Sequence, residues 1–429
     1  MFSRLRILIV VDCYYPSKKS SAKLVHDLAV ELVLHGHEAV VLTPSHSIAT
    51  KIDLATEDGI SVVRIRNGKT KEVRKIRRAI NEARLSAVLW RRAKLLLQQH
   101  PCDLILFYSP TIFFGALVRK LKRLWSCPAY LILRDIFPDW AVDAGLLRKG
   151  LIHRFFRKVA LDQYRIADVI AVQSPGDLHY FTRAFPQVRS RPEVLFNWCA
   201  LNEGPLPCTN WRARLALQNK TIFLYGGNLG TAQDLENIVR LAERLAFRPD
   251  IHFLLIGSGS EMPRLLATII KKRLRNIQTV PGLSQQEYLS MVSECDIGLI
   301  SLDARLTTQN IPGKLLSYLY WGLPVLASVN SGNDLFALLH DQDAGLCLLN
   351  GHHEQLARAA LRLADDAQLR SAMGRNARRL LEQTFSVTHA VEQIFAHLTD
   401  AGFRFPTAPQ IPLAAARSPL RFPELSARI

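Results

Sequence analysis

The chain is poor in the features that would mark a secreted, metal-bound or membrane-spanning protein. Its seven cysteines are scattered over 429 residues, and no two have the two-residue gap of a redox or zinc site. An odd, dispersed set excludes a disulfide framework and fits a reducing cytoplasm. Long hydrophobic runs are missing as well. The longest uncharged stretch, LILFYSPTIFFGALV (104–118), has fifteen residues and is broken by Ser109-Pro110, whereas a bilayer span takes about 20. Five consecutive apolar residues precede Asp12, too few for a signal sequence. Acidic residues are also scarce. Asp and Glu number 37 against 55 Lys and Arg, a formal net charge of +18.

The excess charge belongs to one half. Residues 1–200 hold 32 Lys and Arg against 17 Asp and Glu, a net of +15, and the remainder nets +3. The segment 64–94 alone carries twelve cations and two acids, Glu72 and Glu82. Its apolar residues Val73, Ile76, Ile80, Ala83 and Ala87 recur at helical spacing, so it reads either as a solvated helix face or as a cationic helix for an anionic leaflet. In the second reading Arg74, Lys75, Arg77 and Arg78 are the membrane contacts and Trp90 the interfacial anchor. The segments 116–125 and 148–158 add cations and aromatics to the same half, which favours a membrane surface. No zinc-finger or RNP-like motif is present, so nucleic acid is not the expected partner.

With 48% hydrophobic residues, an ordinary core is available. RILIVV (6–11), a helical period through Leu24, Leu28 and Leu32, and a second apolar run at 39–42 spell strand, helix, strand. Further uniformly apolar strands are expected at 102–109, 128–136, 167–174 and 192–197. After a Pro-containing polar stretch the pattern restarts, with strands at 221–230, 250–260, 277–282, 295–302 and 323–329. Strands without alternation belong to sheets buried on both faces. The expected fold is therefore two Rossmann-like, doubly wound parallel-sheet α/β domains facing a cleft. The expected boundaries are an N-terminal domain 1–200, a linker 201–220, a C-terminal domain 221–385, a helix 386–402 returning to the first domain, and a flexible tail 403–429.

Several motifs sit at strand ends, where such folds bind ligands. LYGGNLGTAQDL (224–235) runs a strand into glycines and then a helix, a candidate diphosphate cradle; dinucleotide and P-loop fingerprints are absent from it. IGSGSE (256–261) repeats the arrangement. RDIFPDW (134–140) leaves an apolar strand with the charged pair Arg134 and Asp135. IPGKLLSYLYWGLPV (311–325) places one cation, Lys314, at the start of an apolar helix.

In this order and spacing, these stretches, with ADVIAVQSPGD (167–177), LFNW (195–198) and NARRLLEQTFS (376–386), resemble the family 4 glycosyltransferases of the GT-B fold over residues 5–400. Within that family the chain resembles bacterial polysaccharide-assembly enzymes of the WbuB type, which move amino sugars such as N-acetyl-fucosamine. The resemblance implies a cytoplasmic enzyme, peripheral on the inner face of the cytoplasmic membrane. It implies glycosyl transfer with retention, without a metal or other cofactor, from a nucleotide sugar, a UDP-sugar, to a lipid-linked or polyprenyl-diphosphate acceptor. It places the donor in the C-terminal domain, at Gly227, Asn228, Gly230, Thr231, Gln233, Gly257, Ser258, Gly259, Leu283, Lys314 and Ser317. Arg134 and Asp135 would stand near the anomeric centre, where many relatives carry His-Asp. Two departures are visible. The Glu pair of many relatives is replaced by Gln309 and Ser317, and the N-terminal Gly-Gly loop by Ser20-Ser21-Ala22-Lys23. Two other readings stay open: a non-hydrolysing sugar-nucleotide epimerase of the same fold, and a basic membrane-binding protein without chemistry.

Overall fold

The computed structural model describes residues 4–17, 19–68, 81–143, 145, 147–201, 209–306 and 311–406. The chain forms two compact units, residues 1–196 with 390–429, and residues 197–389. Each is an α/β layer structure around its own sheet.

In the first unit, eight strands lie in the order β3-β4-β2-β1-β5-β6-β7-β8. They are β1 Arg6–Val10, β2 Glu38–Ser45, β3 Ile52–Glu57, β4 Ile60–Arg66, β5 Leu104–Tyr108, β6 Ala129–Ile132, β7 Val169–Val172 and β8 Arg191–Val194. All neighbours pair in parallel except β3, which runs antiparallel to β4 at the sheet edge. The Val-, Ile- and Leu-rich central strands are buried along their length, as a sheet covered by helices on both faces requires. The β3–β4 hairpin was not among the expected strands. Its turn is Asp58-Gly59, both in the left-handed region at φ 49° and 78°, and a two-residue Asp-Gly loop between β-rich segments is a hairpin signal. Ser174, expected as a turn, caps the helix Pro175–Ala184 by accepting from Asp177 N–H at 3.2 Å.

The second unit has six parallel strands in the order β11-β10-β9-β12-β13-β14: β9 Thr221–Asn228, β10 Ile251–Ser258, β11 Ile277–Val280, β12 Ile297–Ser301, β13 Val325–Val329 and β14 Gly345–Leu349. The chain builds outward from β9 in both directions, so the strand order reverses between β9 and β12. That reversal is the place where open α/β sheets bind ligands. β9 pairs with β10 through Asn228, but with β12 only at Phe223 and Leu224. The two strands part toward their carboxyl ends.

Candidate functional site

A cavity of about 510 Å³ opens at the carboxyl ends of β9 and β10, beside the start of the helix Lys314–Tyr320. Of the expected donor-binding residues it gathers Gly227, Asn228, Gly257, Ser258, Leu283, Lys314 and Ser317 on its wall. Sequence positions 90 residues apart meet there because β9, β10 and the helix Lys314–Tyr320 all present their ends to one side of the sheet. Gly226, Ile256, Gly282, Tyr288 and Gly313 complete the lining, and of these Tyr288 lies in no motif that the sequence singled out.

Lys314 is the cation of this cavity. Its Nζ donates to Tyr225 Oη at 2.9 Å and to Gln233 Oε1 at 3.0 Å, and lies 4.0 Å from the centre of the Tyr225 ring. No carboxylate of the described residues stands within salt-bridge distance of it. Burial without a counter-charge pulls its ammonium down to about 7. A half-buried cation held by a phenol and an amide, both neutral, is short of negative charge. Gln233 accordingly acts as the holder of Lys314 and is not on the cavity wall.

The helix bearing Lys314 is fixed by Tyr318, one turn later. Tyr318 is fully buried, and its hydroxyl accepts from Gly226 N–H at 3.0 Å and donates to the Leu299 carbonyl at 3.1 Å. These are the backbone groups that β9 and β12 no longer offer to each other. Its ring lies where Gly298 has no side chain: a Cβ there would meet Tyr318 Cδ2 at 2.4 Å. Gly226 likewise leaves room for Tyr288, whose hydroxyl a Cβ would meet at 2.2 Å. The Tyr288 hydroxyl is buried beside the side chains of Ser317 and Tyr318. In the sequence Tyr318 is one more residue of the apolar helix behind Lys314, and its hydroxyl is the sole mark of this role.

The glycine turns do different work from one another. At Gly257 a Cβ would come within 1.8 Å of the Gly227 carbonyl oxygen, so glycine lets the ends of β9 and β10 touch beneath the cavity. Gly259 packs against the Leu229 backbone, where a Cβ would meet the carbonyl oxygen at 2.3 Å, and is not part of the lining. Gly230 and Thr231 enter a short 3₁₀ turn, Thr231–Gln233, also off the wall. The helix expected directly after Gly230 starts at Leu235. Asp234 stands at its head, accepting from Asn350 Nδ2 at 2.7 Å and paired with Arg240 at 3.5 Å. Its carboxylate makes no cap hydrogen bond to that helix.

In the first unit, Arg134 and Asp135 follow β6 as expected. The Arg134 guanidinium donates to the carbonyls of Leu195 and Phe196, tying the end of β6 to the chain after β8. Burial raises the Asp135 carboxyl; Arg134 opposes this and Asp12 adds to it. Trp90 is half-buried against the core, with Lys120 Nζ 5.2 Å above its ring. Arg74, Lys75, Arg77, Arg78 and Gln309 lie outside the described residues.

Residues 21–198 match the glycosyl transferase 4-like domain family and residues 209–380 match glycosyl transferases group 1. Both stretches thus match glycosyltransferase domain families, one in each half of the chain. Among its relatives are WcaI of Escherichia coli (strain K12), assigned by name to colanic acid biosynthesis, at 27% identity over 51% of this chain and 56% of that protein. The alpha-D-kanosaminyltransferase of Streptomyces kanamyceticus is 28% identical over 43% of this chain and 46% of its own length. The chain thus spans about half the length of these curated relatives. Solved GT-B structures extend the likeness of fold. The trehalose-6-phosphate synthase OtsA superposes with a TM-score of 0.70 at 12% identity, over 94% of this chain and 100% of that one. Anabaena HepE in complex with UDP-glucose gives 0.62 at 17% identity, over 92% and 100%.

Proposed function

We propose that the chain is a retaining glycosyltransferase of bacterial cell-surface polysaccharide assembly. It moves a sugar, an N-acetylated amino sugar such as N-acetyl-fucosamine, from a UDP-sugar to a lipid-linked acceptor at the inner face of the cytoplasmic membrane. The observation that carries the reading is Lys314: a half-buried cation without a counter-charge among the described residues, on the wall of a cavity at the carboxyl ends of β9 and β10. Family membership and the UDP-sugar held by HepE support a nucleotide-sugar donor, and the kanosaminyltransferase supports an aminated sugar.

In the reaction the bond from sugar C1 to the diphosphate oxygen breaks, with its electrons leaving on UDP. C1 bonds to the acceptor oxygen, and the acceptor proton passes to the departing phosphate. Charge gathers on the diphosphate as that bond lengthens, so a fixed cation already in place lowers the barrier. Lys314 and the backbone N–H groups at the ends of β9 and β10 supply that stabilisation.

Calorimetry with UDP tests the reading. Lys314→Ala should weaken UDP binding by about 1.5–3 kcal/mol, the worth of a charge-assisted contact. Equal affinity of variant and parent for UDP would remove Lys314 from the donor site. Conversion of a free UDP-sugar to its epimer, with no transfer, would replace the transferase reading by that of an epimerase.

Beside the basic segment at 74–78, membrane contact is proposed at 148–158, which the sequence already marked for its cations and aromatics. On the helix Leu151–Tyr164, Leu151 is 76% exposed, Ile152 63% and Phe155 54%, with Trp140 38% exposed nearby. Ring contacts run from Trp140 through Phe137 and Phe156 to Phe155. Arg148, Lys149, Arg154 and Lys158 flank this ridge, and no acid occurs between 148 and 158. Exposed apolar side chains set among cations suit an anionic leaflet.

A further inference from the structure

The sheet of the second unit ends at β14, which pairs with β13 on one side and with no described strand on the other. In a parallel pair a residue turns its N–H and its C=O toward the same neighbour. Val325 N–H donates to the Ala344 carbonyl at 3.2 Å, and Asn350 N–H to the Val329 carbonyl at 2.8 Å. The even-numbered residues from Ala344 to Asn350 therefore face β13, and Gly345 and Cys347 between them point both backbone groups outward. No described residue bonds to those outward groups. Open edges are commonly blunted by charge or proline. The strand Gly-Leu-Cys-Leu-Leu has neither.

A groove of about 640 Å³ runs along this edge, with the helices Leu335–Asp341 and His353–Asp365 as its banks. The banks lie on opposite faces of the sheet. Leu346 and Leu348 pack with Leu356, Ala360 and Leu363 of the helix His353–Asp365, in the cluster that also holds the helix Leu235–Arg244 between β9 and β10. The helix Leu335–Asp341 joins β13 to β14, a step in the opposite direction along the sheet from β9 to β10. A right-handed crossover then puts it on the other face.

A strand added at the edge would send its side chains alternately to the two banks, and the banks differ in chemistry. On one, Arg358 and Arg362 stand one turn apart, exposed and on the groove wall. The acids of their own helix are engaged elsewhere, Glu354 by Arg244 and Asp365 by Arg248, and no described carboxylate lies within salt-bridge distance of either arginine. On the other bank Phe336 and Ala337 are apolar, and the carboxylate there, Asp341, has His340 Nδ1 3.4 Å away.

We propose that β14 takes an extended segment of a partner protein as a further strand, with alternate side chains acidic and apolar, the acids meeting Arg358 and Arg362 and the apolar ones Phe336. Backbone pairing supplies the hold and the two banks the selectivity. A second copy joined edge to edge would set its own Arg358 and Arg362 against these, like charge on like. The segment 407–429 of this chain carries three arginines against one acid, the wrong sign for the groove. The docking is independent of the donor reading, since β14 stands three strands from β9 in the same sheet.

Fluorescence anisotropy on the full chain tests it, with two short acetylated peptides bearing a neutral dye, one alternating Val and Glu, the other Val and Lys. The Glu peptide should bind and the Lys peptide should not. Arg358→Glu with Arg362→Glu should reverse that preference. Cys347→Pro removes an outward N–H that β13 does not use, a place where an edge strand accepts proline, and should weaken the Glu peptide at least about tenfold. Both variants should keep the parent's thermal midpoint; should the proline variant lose it, the arginine pair, on an exposed helix face, decides the matter. No binding of the Glu peptide would overturn the proposal, as would equal binding of the two peptides or binding indifferent to all three substitutions. A dimer in sedimentation that Cys347→Pro dissolves would give the edge to a second copy, and displacement of the Glu peptide by a synthetic 407–429 peptide would give it to the chain's own tail. Either result overturns it.

Discussion

Lys314 couples donor binding to protons. In the free protein its ammonium titrates at about 7 because burial penalises the charge. A bound diphosphate supplies the missing counter-charge and holds the proton, moving the titration back toward the ordinary lysine range near 10.4. Between these two values binding takes up a proton, so UDP affinity should fall as pH rises from about 7.5 to 9, by up to about tenfold per unit. Calorimetry at pH 8 in buffers of different ionisation enthalpy should register an uptake approaching one proton, lost in Lys314→Ala. An affinity flat over this range would mean that the amine is charged in the free protein. The cation itself was legible in the sequence, as a lone Lys behind Pro-Gly in an apolar run. Its holders were not: Tyr225 and Gln233 lie more than 80 residues upstream, and only the closing of the sheet brings them under the amine.

At the scale of the element, the helix Lys314–Tyr320 is two turns long and held by one phenol. Tyr318→Phe leaves the Gly226 N–H and the Leu299 carbonyl without the partner they share. Buried groups left unmade cost about 1–3 kcal/mol, which thermal unfolding of the variant should show as a lowered midpoint, together with weaker UDP binding as Lys314 loses its fixed base. An unchanged midpoint would mean that β9 and β12 close on each other without the phenol. Gly298→Ala attacks the same joint from the other side. Its methyl would overlap the Tyr318 ring, and overpacking of this kind typically costs about 1–3 kcal/mol. The regular part of this architecture was readable from residue order, because central strands such as LILFY and FLY are apolar throughout and their glycine turns stand at strand ends. The edges were not so readable. β3 and β14 are only partly buried along their length, so their patterns are weak, and the head of the helix after β9 is displaced by a 3₁₀ turn that no spacing rule marks. Of the residues read as donor-side, Gly227, Asn228, Gly257 and Ser258 at the ends of β9 and β10 share one cavity with Leu283, Lys314 and Ser317. Gly230, Thr231, Gln233 and Gly259 fell off the wall because a contiguous motif cannot show which of its residues face inward.

For the whole molecule, the distribution of charge and apolar exposure bears on where it works. Replacing Leu151, Ile152 and Phe155 with Ser removes the exposed ridge while leaving the buried face of the helix, His153, Ala160, Gln163 and Tyr164, untouched. Flotation with vesicles containing anionic lipid should then fall sharply, since each large apolar side chain entering the interface is worth on the order of 1.5–3 kcal/mol. If that variant floats as the parent does while Gln at 74, 75, 77 and 78 abolishes flotation, the contact lies in the basic segment read from the sequence. Cations can be counted in a sequence, but which aromatic faces outward cannot: Trp90 and Phe155 look alike until packing buries one of them.

The second unit begins and ends at the same spot. Cys199 N–H donates to the Phe385 carbonyl at 2.8 Å, and Val387 N–H donates to the Cys199 carbonyl at 3.1 Å. The chain therefore leaves the first unit near residue 196 and re-enters it near 390, so the second unit is an insertion whose two ends are stitched together. One consequence is resilience to cutting. A protease that nicks the first connection leaves the two units joined by an intact peptide at the second. The nicked protein should run as two pieces in denaturing gels, and its 197–389 portion should stay covalently attached to the helix that closes the first unit.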